Sequence, residues 1–380
     1  MTDFEKTLIN KITQSKGNNF GIENFDEDRF GSYSSRKVSK GIAKKLPAGF
    51  IPKVKTIIKT IVFSRSKTVK ERAIDFINEY SEQYEKLWDA LNNNNRELLV
   101  SLIAYRIMGF QKVKLARNDR NYWEALQTAS TLLDESDSFD PKFLHFLLTK
   151  FDLKEIGYDV NLYFTALGVA TDFIIEQYAY KENDEYIVAA EEGDVVFDLG
   201  ACWGDTALYF ADRVGEKGKV YSFEFIPGNI ALFNKNIHLN PNIESRIHLI
   251  TNPISNKSHE LVYFKDNGPA SKVSMKPFEK QTGEAHTISL DDFVEINNIE
   301  KVDFIKMDIE GAETAALEGA LNTIRKFRPK LAIAIYHSRR DLVLIPNWII
   351  DLKLDYEIFL GHYTIHSEET ICFAKPRINK

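Results

Sequence analysis

The 380-residue sequence predicts an α/β protein in which a mostly parallel sheet follows a mainly helical N-terminal region. Three observations carry this reading. Beyond Gly193 short apolar runs alternate with amphipathic ones, from VVFDLG, TALYFADRVG, KVYSFEF, GNIALFNKNIHLN and RIHLIT to VDFIKMD, TAALEGALNTIRKF and KLAIAIYH. A glycine turn, Gly200 to Gly204, links the first strand to the first helix of that series. Upstream, residues 69 to 110 repeat apolar side chains at helical rather than strand spacing.

Taken in order, residues 1–35 are polar, with Gly17, Asn18, Asn19 and the acidic run Asp26-Glu27-Asp28, and read as a mobile tail. From Pro52, PKVKTIIKTIVF places Val54, Ile57, Ile58, Ile61 and Val62 on one helical face and Lys53, Lys55 and Lys59 around the other. This basic amphipathic helix either docks its apolar stripe on the protein or lies on an anionic membrane. VKERAIDFINEYSEQYEKLWDALNN and RELLVSLIAYRIMGF predict a helical hairpin broken at Asn92–Asn95, and DVNLYF and TDFIIEQYAY predict short strands. The closing runs YEIFLGHY and ETICFAKP predict two more strands. The expected organisation is therefore a tail with a basic helix over 1–68, a mixed lead-in over 69–189 and a catalytic domain over 190–380.

Between Arg36 and Arg72 twelve basic residues stand against Glu71 alone, so this segment carries +11 and the rest −17 within an overall −6. An acidic body with a basic sash argues against nucleic-acid binding by the C-terminal half. Cys202 and Cys372 are too few for a disulfide framework, and MTDFEKTLIN lacks the features of a secretory leader. The expectation is a cytoplasmic chain, with peripheral contact at the inner membrane face through residues 36–72.

In DVVFDLGACWGD an apolar strand ends at Asp198-Leu199-Gly200, runs through Ala201, Cys202 and Trp203 to Gly204, and opens a helix near Thr206. Glycines there let a ligand approach the backbone, and a helix N-terminus offers unpaired N–H groups. The spacing does not meet the dinucleotide pattern G-x-G-x-x-G. Glu224, ending the next strand 26 residues after Asp198, is placed to accept both hydroxyls of a ribose; otherwise it is an exposed strand end, and Asp198 a turn cap.

DLGACWGDTALYFA, SFEFIPGNIALFNKNIHLN, TISLDDF and DFIKMDIEGAE, in this order, resemble FkbM-type methyltransferases from about Glu191 to Pro376. The resemblance implies a class I methyltransferase-like, Rossmann-like sheet of seven strands with one antiparallel. It also implies S-adenosyl-L-methionine as cofactor and O-methylation of hydroxyls, here of a carbohydrate, glycolipid or polysaccharide precursor. It makes Asp198, Gly200, Ala201, Cys202 and Gly204 the turn around the methionine end, Glu224 the ribose acid, and Asn252 a neighbour of the adenine. Phe225 stands where the family often has a proline, which this chain delays to Pro227.

The chemistry is expected at the carboxyl ends of the fourth and fifth strands, in Asp308-Ile309-Glu310-Gly311 and Tyr336-His337-Ser338. Methyl transfer to an alcohol needs a base for the hydroxyl proton, and Asp308 and His337 are the candidates, with Glu310 beside them. Asp308 and Glu310 could instead serve the start of the helix near Ala312, and His337 could satisfy buried backbone. Two carboxylates one residue apart do not define a metal site, and none is assigned. His362 and Tyr363 are candidates for the acceptor pocket, Lys306 is expected to pair with an acid, and Asp291 or Asp292 to cap a helix. The competing functions are a non-catalytic S-adenosylmethionine-binding assembly factor and an NAD-dependent oxidoreductase.

Overall fold

The computed structural model describes residues 1–15, 25, 26, 29, 68–142, 147–269 and 271–377. Helix α1 (Asp3–Gln14) starts at a capping box in which Thr2 and Glu5 satisfy each other's backbone N–H. Phe4, Leu8 and Ile12, four residues apart, are buried, and Phe4 stacks on Tyr84 with ring centroids 5.5 Å apart. The expected tail is therefore corrected over its first fifteen residues: three apolar side chains suffice when the chain supplies a surface for them. Asp26 and Arg29 also reach the C-terminal region, Asp26 lying 2.7 Å from His366 Nε2 and Arg29 pairing with Glu368 at 2.7 Å. The basic helix expected from Pro52 lies outside the described residues.

Helices α2 (Val69–Ile77), α3 (Ser81–Ala90) and α4 (Asn93–Met108) form where periodicity places them. The polar break is a cap, since Asn92 Oδ1 accepts from Asn95 N at 2.9 Å. After α5 (Arg120–Ala129), strands β1 (Leu133–Phe139), β2 (Leu148–Asp152) and β3 (Asn161–Phe164) make a small antiparallel sheet. TDFIIEQYAY is largely not a strand. Thr165 accepts from Gly168 N and starts α6 (Ala166–Val169), which continues as a π turn over Ala170–Ile174. The β-branched and aromatic content reflects burial, and only β4 (Tyr180–Glu182), paired with β5 (Glu185–Val188), is extended.

The remaining elements are β6 (Val195–Leu199), α7 (Asp205–Val214), β7 (Lys219–Phe223), α8 (Pro227–His238), β8 (Ile247–Ile250), β9 (Leu261–Lys265), β10 (Lys272–Ser274), β11 (Gly283–His286), α9 (Leu290–Ile296), β12 (Phe304–Met307), α10 (Glu313–Glu318), α11 (Leu321–Phe327), β13 (Lys330–Ala334), α12 (Asp341–Asp351), β14 (Tyr356–His362) and β15 (Thr370–Pro376). Seven of them form one sheet in the order β14-β15-β13-β12-β6-β7-β8. β15 alone runs opposite to the other six, which is the class I methyltransferase fold. Strands β9 to β11 form a separate antiparallel sheet. Because β7 leaves β6 on one side and β12 lies on the other, a crevice opens at their carboxyl ends.

Alternation along the strands feeds two cores. Phe197, Leu199, Ile305 and Met307 pack toward Leu99 and Ile103 of α4, whereas Val196 and Phe304 pack toward Tyr209 and Phe210 of α7. The lead-in helices thus share the interior of the sheet, and Asn95 ties α4 to Leu360 N at 3.1 Å. The cap expected at Asp291 or Asp292 is instead Ser289, whose hydroxyl accepts from Asp292 N, while Asp291 accepts from Asn322 N and Thr323 N. Among the described residues no helix is long and apolar enough to cross a membrane.

Candidate active site

The glycine turn is fixed by packing. Gly200 has φ +86°, and a Cβ there would stand 1.9 Å from the carbonyl oxygen of Asp308, so any side chain would collide with backbone. Asp198 and Lys306 are register partners on adjacent parallel strands and face the same side. Lys306 Nζ lies 3.0 Å from Asp198 Oδ1 and donates to Gly200 O at 2.7 Å. Thr206 Oγ1 donates to Asp198 Oδ2 at 2.9 Å. Burial opposes the charge on Lys306, but Asp198, Asp308 and Asp205 outweigh it and hold its proton more firmly than usual.

This pairing corrects part of the sequence reading. Asp198 is fully buried and does not line the crevice, nor do Ala201 and Gly204; they shape the turn from behind. Gly200, Cys202, Glu224, Phe225, Asn252 and Asp308 do line it, around a cavity of about 700 Å³. Glu224 accepts from Ile226 N at 2.7 Å and Asn229 Nδ2 at 3.1 Å, and burial raises its carboxyl to about 7. Asn252 donates to His286 O at 2.9 Å, and Phe225 meets Phe264 edge to face.

At the strand ends Asp308 accepts from Tyr178 Oη at 2.8 Å and from Tyr336 Oη at 3.1 Å. His337 stands between two carboxylates, with Nε2 3.2 Å from Asp308 Oδ1 and Nδ1 3.0 Å from Glu313 Oε1. Both contacts are ionic rather than well-aligned hydrogen bonds. Burial alone would lower His337; Glu313, Asp308 and Glu310 reverse this and raise it to about 9. An imidazolium has no lone pair to offer, so His337 anchors Asp308 and is not the base expected from sequence. Asp308, Glu313 and His337 bring ligand atoms within 4.8 Å of one another, a spacing a divalent cation could span. Each ring nitrogen already faces a carboxylate, and the protonated ring leaves the trio with one net negative charge; we assign no metal ligand.

Glu310, at φ +56°, turns largely to solvent at the rim. The helix start expected to use Asp308 or Glu310 has no side-chain cap, and Glu313 in its first turn instead accepts from Ile309 N at 2.9 Å. His362 and Tyr363 are buried away from the crevice, bonded to Thr370 Oγ1 and Ala179 O, and burial holds His362 neutral at about 3. Three lining acids escaped sequence reasoning because nothing local marks them: Asp172 in the π turn, Asp205 at the start of α7, and Glu369 just before β15. Glu369 hydrogen-bonds with Tyr336, keeps Oε2 without a partner, and is raised to about 8 by burial and by Asp308. A glycine cradle, a buried ribose-height acid and a surplus of carboxyl groups fit a cationic nucleoside.

Residues 188–358 match the family described as Methyltransferase FkbM domain. No curated protein matches the sequence. Among solved structures, the chain is similar to methyltransferase FkbM from Methylobacillus flagellatus KT (20% identity, 77% of this chain and 70% of that one, TM-score 0.42). It is similar to Aeropyrum pernix fibrillarin in complex with S-adenosyl-L-methionine (17%, 49% and 67%, TM-score 0.31). It is also similar to a protein from Klebsiella pneumoniae described as an O-methyltransferase (11%, 68% and 91%, TM-score 0.33).

Proposed function

From a chain whose residues 188–358 match the methyltransferase FkbM domain, we propose an O-methyltransferase acting on a hydroxyl of a carbohydrate or glycolipid precursor. The cofactor is S-adenosyl-L-methionine, which when bound would supply a methyl group, its sulfur leaving as a neutral thioether. The observation that carries the reading is the crevice itself: a glycine turn that admits no side chain, with Glu224 on one side and an acidic cluster on the other.

Glu224 holds the ribose, its oxygens having lone pairs beyond those used by Ile226 and Asn229. An acceptor hydroxyl taking that methyl group would have to lose its proton. Asp308 already accepts from Tyr178 and Tyr336 and faces His337. In its ionised form Glu369, which has a bare oxygen, takes that proton, so transfer should rise as pH climbs toward about 8, while Tyr336 bridges the two acids. Leu167, Val273 and Met275 line the mouth while remaining about half exposed, which supports an acceptor with an apolar part. The basic sequence from Arg36 to Arg72 supports a lipid-linked acceptor at an anionic inner membrane face.

Calorimetry tests the cofactor, with saturable heat expected for S-adenosyl-L-methionine and none for NAD; the reverse pattern would sink the reading. For the acceptor, glycans and glycolipids from cells with and without the gene should differ by one methyl group on a sugar. Flotation with anionic liposomes should carry the full chain upward, and its absence would remove the membrane part.

A further inference from the structure

Asp172 and Asp205 come from different parts of the chain, the π turn after α6 and the first turn of α7, yet their carboxyl groups are hydrogen-bonded to each other. Both are more than nine-tenths buried and both line the crevice. Asp205 follows directly on the glycine turn, and its Oδ1 is buried with no hydrogen-bond partner. Thr171 Oγ1 donates to Asp172 at 3.3 Å. Two carboxyl groups in contact cannot both ionise without a cation between or beside them, so in the free crevice they hold a proton. Burial, then the mutual repulsion, keeps Asp172 well above the usual carboxylate range, and burial raises Asp205 to about 6. The other charged or titratable groups facing the pair are Lys306, Asp198, Glu369 and Cys202; Lys306 is already committed to Asp198 and Gly200 O.

We propose that Asp172 and Asp205 form the subsite for the α-ammonium group of the cofactor's amino-acid end, and that the cation replaces a proton which the pair releases on binding. This rests on the S-adenosyl-L-methionine reading and adds to it a recognition device outside the glycine turn. A build-up of negative charge is costly in a buried pocket until a cation arrives, so the pair favours nucleosides carrying the ammonium over those lacking it. The proton moves from the carboxyl pair to solvent, and no bond of the cofactor changes.

The test uses the full chain and two uncharged-sulfur nucleosides: S-adenosylhomocysteine, which has the ammonium, and methylthioadenosine, which lacks the amino-acid end. Both engage the ribose acid, so any proton taken up or released by Glu224 is common to them. Calorimetry at about pH 6, where Asp205 titrates, in buffers of different ionisation enthalpy should show about one more proton released for S-adenosylhomocysteine than for methylthioadenosine. Its affinity should fall about tenfold per pH unit below that range. Asp172→Asn and Asp205→Asn should each weaken S-adenosylhomocysteine roughly tenfold or more while leaving methylthioadenosine unchanged, and should abolish the extra proton. Equal proton release for the two nucleosides on the unaltered chain, or equal weakening of both in the variants, overturns the proposal. If neither nucleoside binds the unaltered chain, the cofactor reading itself fails.

Discussion

At the scale of single residues the site is governed by which carboxyl groups have partners. His337 illustrates the sign of the effect. Its folded value, raised from 6.5 to about 9, means that its ion pairs contribute fully below about pH 6.5 and are lost as pH climbs through 9. Thermal melts should therefore show a loss of stability toward alkaline pH that His337→Gln lacks. Glu369 works in the opposite sense to an ordinary salt-bridged acid: raised from 4.5 to about 8, it costs nothing below 4.5 and erodes stability progressively up to 8. Glu369→Gln should raise the melting temperature above about pH 8, leave it unchanged near 4, and abolish methyl transfer without loss of cofactor binding. Lys306→Met strands Asp198 without its cation and should cost about 3–5 kcal/mol in denaturant unfolding. Gly200→Ala should eliminate cofactor binding, since its Cβ meets backbone rather than a movable side chain.

At the scale of elements, the strands were legible because burial on both faces writes continuous apolar runs, and the helices between them because one face is wet. What escaped depends on distant surfaces. Helix α1 has three apolar positions in twelve residues, a stripe that means little until Tyr84 and Trp88 are there to receive it. Phe4→Ala should destabilise the chain by about 3–5 kcal/mol, and a smaller loss in denaturant titration would show that α1 docks only loosely. The π turn at Ala170–Ile174 was hidden because its residues are strand formers by composition and are coiled by tertiary packing. For the same reason the site was half legible. Gly200, Glu224 and Asp308 lie where strand ends announce themselves, whereas Asp172 and Glu369 reach the crevice from segments whose sequence carries no mark of their destination.

At the scale of the whole molecule, the loop from Thr364 to Glu369 is where the two ends of the chain meet. Asp26 touches His366 and Arg29 grips Glu368, the residue next to Glu369. The basic sequence that begins at Arg36 lies only a few positions further along. In sequence it is separated by only six residues from Arg29, which holds the neighbour of Glu369. Asp26 and Arg29 are in this sense a rein on the 364–369 loop, and a chain begun at Thr68 would lack both contacts.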